Sequence, residues 1–94
     1  GMIRSFGDRE TELVYRQTFS KRLPHDIQRR ALNKLLLLDA AENENDLRMP
    51  PANHLEQMHG DWEGFHSIRI NRQWRICFRF EAGNAYDVQI TDYH

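Results

Sequence analysis

The sequence is poor in the features that would staple or anchor a fold. A single cysteine, Cys77, in 94 residues allows no internal disulfide and no cysteine-based zinc site. Set within WRICFRF, it reads as packing. No stretch approaches the roughly 18 apolar residues of a membrane-spanning helix, and the opening GMIRSF has no signal-peptide pattern. The expected compartment is therefore the cytoplasm, with no membrane partner. Nor is there an excess of one charge, because 13 basic against 14 acidic groups give a formal net charge of −1. That balance argues against indiscriminate binding to duplex nucleic acid. There is no repeat and no low-complexity tract. A chain of 94 residues suffices for one small domain, residues 2 to 94, that buries roughly 60 to 65% of its unfolded surface. Gly1, before Met2, reads as a remnant of tag cleavage.

What is present is unevenly spread. Residues 1 to 30 carry seven basic and four acidic groups, residues 31 to 64 two and seven, and residues 65 to 94 four and three. The segment AENENDLRMPPANH, 41 to 54, is polar, and its charged part stops at a Pro-Pro pair, so it reads as a connecting loop between differently built halves. The first half has helical period. Asp8 is placed as an N-cap with acids behind it in the first turn, and Val14, Tyr15, Thr18 and Phe19 follow at helical spacing. A second helix is predicted from near Pro24 to about Ala41, with Ile27, Ala31, Leu35 and Leu38 as its apolar face, widened by Leu32 and Leu36. The short break at Ser20 to Leu23 makes the pair a hairpin.

The second half changes to period 2. Ile68 and Ile70 alternate with Ser67 and Arg69; Trp74, Ile76, Phe78 and Phe80 with Arg75, Cys77 and Arg79; Tyr86, Val88 and Ile90 with Asp87, Gln89 and Thr91. The links Asn71-Arg72-Gln73 and Glu81-Ala82-Gly83-Asn84 have hairpin length. His54 to Met58 is a candidate fourth strand and Met2 to Phe6 a candidate edge strand. The expected class is α+β: an N-terminal helical hairpin packed on one face of a small twisted antiparallel sheet. Trp74, Ile76, Phe78 and Phe80 should lie beneath the helices, near Leu35, Leu36 and Val88.

Parity then sends Ser67, Arg69, Arg75 and Arg79 to the opposite face. With Arg72 they make four arginines within eleven residues and no lysine. Arginine presents a planar fork that fits phosphate and stays charged at any working pH, and a basic stripe is a nucleic-acid footprint. A solvated, edge-protecting sheet face is the plainer alternative.

MIRSF, a two-helix insert, RMPPANHLEQMHGDWEGFHSIRINRQWRICFRF and finally AYDVQITDYH together resemble the HigB-type toxins of the RelE/ParE superfamily, from Met2 to His94. The most specific pieces are Pro-Pro followed by HLEQMHGD, the SIRIN-x-x-WRI-x-F run and the terminal Asp-Tyr-His. The resemblance implies a toxin of a toxin–antitoxin pair, usually an mRNA endoribonuclease that works in the ribosomal A site. It also implies a helix-turn-helix antitoxin that holds the toxin inactive and represses their operon, so that operator DNA is met only through the antitoxin.

Metal-free RNA cleavage by 2′-hydroxyl attack needs a proton acceptor, charge stabilisation at phosphorus and a donor for the departing oxygen. Arg75, which matches the arginine of the family's WRI motif, is the candidate for charge stabilisation. Arg69, Arg72 and Arg79 are candidates for holding RNA backbone. His94 titrates near neutrality and is the natural proton-transfer group. Asp92 is suited to orienting it, and Tyr93 to stacking on a base. Alignment on Gly60-Asp61 puts Glu56 and His59 where HigB-type toxins carry a histidine and a lysine. Glu56 then replaces the general base, and His59, when protonated, the positive charge. Sheet-edge and turn roles are the plainer alternatives for these two. No cofactor is implied, and the histidines lack a zinc-like spacing with cysteine. Two other function classes share the expected fold: a toxin that blocks DNA gyrase without cutting nucleic acid, and a co-repressor that acts with its antitoxin on operator DNA.

Overall fold

Local chemistry sets the start and stop of each element. In the computed structural model, which describes residues 1 to 92, helix α1 spans Arg9–Tyr15 and begins where Asp8 accepts a 2.8 Å hydrogen bond from the Thr11 amide. It ends sooner than its apolar spacing suggests. Gln17 takes a left-handed conformation, φ 63°, and the Gln17 and Thr18 amides donate to the carbonyls of Val14 and Leu13. This is a Schellman stop with glutamine where glycine is usual. Thr18 and Phe19 therefore leave the helical face, and Phe19 is 64% exposed, stacked on His25 with 4.5 Å between centroids.

Helix α2, Gln28–Ala40, follows a 3-10 turn at His25–Ile27. The buried Gln28 side chain holds the inter-helix segment by accepting from the Ser20 amide and donating to the carbonyls of Ser20 and Leu23. Ile27, Ala31, Leu35 and Leu38 form the buried stripe as expected. Leu36 does not widen it. At 48% exposure it faces out, and Leu37 packs against the core instead.

The sheet contains β1 (Met2–Ile3), β2 (Glu56–Gln57), β3 (His66–Arg69), β4 (Trp74–Glu81) and β5 (Asn84–Asp92), in the order β1-β5-β4-β3-β2. Strands β2 to β5 make the antiparallel meander. Strand β1 joins the far edge parallel to β5, with Met2 opposite Asn84 and Ile3 opposite Ala85, so the sheet is mixed. Almost the whole chain separates the two strands, and no tight turn obliges them to run antiparallel. Asp39 of α2 fixes this edge by accepting from the Ile3 amide at 2.8 Å.

The β4–β5 ladder carries one irregularity. Cys77 pairs with Gln89, but Arg79 pairs with Tyr86, so β5 holds one residue more than β4 between these rungs. Asp87, at φ 53°, absorbs the extra step as a bulge. Side-chain parity reverses across it. Val88 and Ile90 point to the helices as expected, but Ala85, fully buried, takes the inward place assigned to Tyr86. Tyr86 lies with Arg79 on the other face.

The main core joins the α2 stripe to Ile68, Ile70, Ile76, Phe78, Ala85, Val88 and Ile90, with Trp74 and Phe80 partly buried at its border. The polar connector also contributes. Leu47, inside a 3-10 turn at Glu44–Arg48, is fully buried. A second, smaller cluster lies on the opposite face, where Met58, Phe65 and Cys77 pack with Trp62. The chain from 58 to 65 folds back on itself, the Met58 amide donating to the Phe65 carbonyl. The face expected to be open is thus partly roofed.

Candidate active site on the sheet face

Strand register builds the site. Arg69, Arg75 and Thr91 form one rung across β3, β4 and β5, and Ser67, Cys77 and Gln89 the next, with Glu56 of β2 opposite Ser67. Arg75 belongs by position to a sheet surface, yet its side chain is only 12% exposed. Its Nε donates to Ser67 Oγ at 2.7 Å, and its Nη2 donates to the His54 carbonyl at 2.5 Å and to the Ser67 carbonyl at 3.4 Å. Glu56 Oε1 stands 3.9 Å from the same Nη2. His54 is able to offer its carbonyl because it closes the Pro51–Asn53 turn in a left-handed conformation, φ 44°. The buried Asn53 steadies that turn by donating to the carbonyls of Leu47 and Met49. Among the described residues, the hydrogen bonds of Arg75 engage Nε and Nη2, and none engages Nη1. Beneath this rung the Cys77 thiol is pushed up by burial, against smaller opposing pulls from Thr91 and Arg75.

The remaining candidates separate. Arg69 turns toward the β3–β4 link, its Nε donating to the Asn71 carbonyl at 3.0 Å, and Arg72 lies on that link. Arg79 shares the face of Arg75 but is occupied: its guanidinium sits 4.4 Å over the Phe65 ring, and its Nε is 3.4 Å from Asp87 Oδ2. His59, 82% exposed on its side chain, stands apart at the start of the Gly60–Trp62 turn, 3.9 Å from Glu63. Asp92 remains in the ladder opposite Trp74. Its carboxylate accepts from Gln73 Nε2 at 2.9 Å. Tyr93 and His94 lie outside the described residues.

The site's coherent part is therefore Arg75 with Glu56, Ser67 and the His54 carbonyl. Sequence reasoning placed Ser67 on this face and gave it no role. Its cross-strand position, a diagonal step from Arg75, is the signal that was available. The His54 carbonyl left no such trace, since a backbone acceptor in a left-handed turn is not written in residue type.

An α+β fold with helices on one sheet face and a held arginine on the other defines a class first, the small RelE-like proteins. Over residues 4–94 the chain matches the family described as RelE-like toxin of type II toxin-antitoxin system HigB, and it belongs to that family. It is 38% identical over 90 residues to "Toxin HigB-1" of Vibrio cholerae, covering 95% of each chain. It is 31% identical over 93 residues to "Endoribonuclease HigB" of Proteus vulgaris, covering 99% of this chain and 100% of that one. An "Uncharacterized protein" of Haemophilus influenzae is 42% identical over 76 residues, 81% of this chain and 74% of that one. The protein is thus a toxin of a type II toxin–antitoxin system, and an antitoxin is its partner. Among the described residues, no helix is long and apolar enough to cross a membrane.

Proposed function

We propose that this toxin is a ribosome-dependent endoribonuclease that cuts mRNA without a metal and thereby stops translation and growth. The observation that carries the reading is the setting of Arg75, fixed by Ser67 and the His54 carbonyl with Glu56 3.9 Å away. Preorganised cationic donors at a reacting phosphoryl group are worth most where water is excluded, and Arg75 is fixed and largely buried. The name of the Proteus vulgaris relative, endoribonuclease, agrees with this chemistry.

In the reaction, Glu56 takes the proton of the 2′-hydroxyl as its oxygen bonds to the adjacent phosphorus. Arg75 stabilises charge on the non-bridging oxygens through its Nη1 side. The bond from phosphorus to the 5′-oxygen breaks, and His94 donates a proton to the departing oxygen. The products are a 2′,3′-cyclic phosphate and a 5′-hydroxyl. Asp92 orients His94 and Tyr93 stacks on a base, while Arg69 and Arg72 face the backbone and His59 adds charge when protonated; Arg79, engaged by Phe65 and Asp87, is left out of this set. The substrate is mRNA in the A site of the small ribosomal subunit, so the setting is the cytoplasm. A helix-turn-helix antitoxin is the inhibitory partner, and operator DNA is reached only through it.

The test compares wild type with the double variant Arg75→Ala, His94→Ala by mapping mRNA 5′ ends during growth arrest. New ends with wild type and none with the variant are expected. Equal cleavage by the two sinks the assignment, and arrest without any cleavage moves the reading to a gyrase-blocking toxin.

A further inference from the structure

Two cations on α2 have no part in the site described above. The buried stripe of the helix accounts for Ile27, Ala31, Leu35 and Leu38, and leaves Arg30 and Lys34 outside the core. Both line a cavity of about 510 Å³, together with His54, Arg69, Arg72 and Gln73, where the helix meets the 52 to 54 turn and the β3–β4 link. Four permanent or near-permanent cations thus converge from two separate parts of the chain, and among the described residues no carboxylate is in the lining. Gathering like charges in one concavity is unfavourable in the free protein, and folding does not require it. Two of the four are also held in place. Lys34 donates to Asn53 Oδ1, and Arg69 donates to the Asn71 carbonyl at 3.0 Å. Burial and the neighbouring Arg30 lower the pKa of Lys34, as expected for a part-buried ammonium beside another cation.

The groove is continuous with the Arg75 site. Arg69 lies directly opposite Arg75 in the β3–β4 register, and His54 both lines the groove and supplies the carbonyl that holds Arg75. We infer that this groove is a second phosphate site, one that holds backbone phosphates of the same single RNA strand whose scissile phosphate lies at Arg75. This rests on the nuclease reading and extends it, by making Arg30 and Lys34 positioning residues that track the strand away from the cut. A chain of phosphates running from Arg75 across Arg69 to Arg72, Lys34 and Arg30 meets a cation at each of these positions. An acidic segment of the antitoxin would be attracted by the same charges, but the shared rung and shared His54 tie the groove to the substrate.

The experiment uses a short single-stranded RNA with every 2′-hydroxyl methylated, so that it binds without being cut. Its affinity for wild type, Arg30→Gln/Lys34→Gln and Arg75→Ala is read by fluorescence anisotropy across a potassium chloride series. Removing two phosphate contacts should flatten the slope of log affinity against log salt by about 1.4, from roughly 0.7 per contact on a single strand. It should weaken binding at least tenfold at low salt and raise KM for mRNA cleavage on ribosomes with little change in kcat. The double variant should stay folded and melt somewhat below wild type, since both side chains lie outside the apolar core but Lys34→Gln gives up the hydrogen bond to the buried Asn53 Oδ1. Unchanged affinity and slope overturn the inference. So does loss of antitoxin binding with RNA binding intact, which gives the groove to the antitoxin. Loss of affinity only for ribosomes without mRNA overturns it as well, and gives the groove to ribosomal RNA. If wild type binds RNA through the groove yet cuts nothing, the nuclease reading fails while the phosphate site stands.

Discussion

Arg75 and Arg79 are equivalent in the sequence, two positions on one strand face separated by three residues, and the structure sets them apart. Arg75 is drawn inward by a hydroxyl and two carbonyls. Arg79 is spent on Phe65 and Asp87, and its side chain is half exposed. Period-2 alternation reports which face a residue occupies. It says nothing about what else folds onto that face, and here the 58 to 65 segment brought Phe65 to Arg79. The same limit hid Arg30 and Lys34, whose meeting with Arg69 and Arg72 is tertiary. The assignment of roles gives a simple expectation. Arg79→Ala should lower stability by about 0.5 to 1 kcal/mol, the usual size of an exposed cation–π contact, and leave mRNA cleavage within about threefold of wild type. Arg75→Ala should cut the rate by about 10² to 10³, as loss of one preorganised donor does. Urea titration and cleavage assays on the two variants check this, and comparable loss of activity in both would show that Arg79 serves the reaction.

Elements were legible where a local rule decides them. Asp8 as a cap, the buried stripe of α2 and the meander all follow from pattern. The places that escaped are those where the backbone takes a conformation the residue type does not announce. Gln17 ends α1 in a left-handed turn where glycine would have signalled it. NAYDVQIT alternates so regularly that it conceals the bulge at Asp87, and the one hint was a small apolar residue, Ala85, at a nominally polar position. That bulge matters to the site, because it reverses parity partway along β5 while leaving Thr91 on the Arg75 rung. A β-branched residue at φ 53° meets a steric penalty of roughly 1 to 2 kcal/mol, whereas glycine meets none. Asp87→Val should therefore destabilise by at least that amount. Asp87→Gly should stay within about 1 kcal/mol of wild type, relief of strain offsetting the lost contact with Arg79. Equal melting temperatures for Asp87→Val and wild type would mean that β5 runs without the bulge.

On the scale of the molecule, the sheet separates what holds the fold from what acts. Its helix-covered face carries Phe78, fully buried between the Leu35 and Leu38 stripe and the strands beside it. The other face carries Arg75. A small domain has roughly 5 to 15 kcal/mol of stability in total, and deleting a buried phenylalanine typically removes about 3 to 5 of it. Phe78→Ala should therefore shift the urea midpoint sharply downward with little change in slope, the loss being one of stability and not of the surface exposed on unfolding. Because an unfolded toxin presents neither site nor surface, growth arrest and antitoxin binding should weaken together, and antitoxin should partly restore the melting temperature by mass action. Arg75→Ala should instead end growth arrest while antitoxin binding persists, its stability loss confined to about 1 to 3 kcal/mol, the cost of orphaning buried acceptors. An unchanged midpoint for Phe78→Ala would mean that the strand parity is inverted, and Arg75 would then belong to the core.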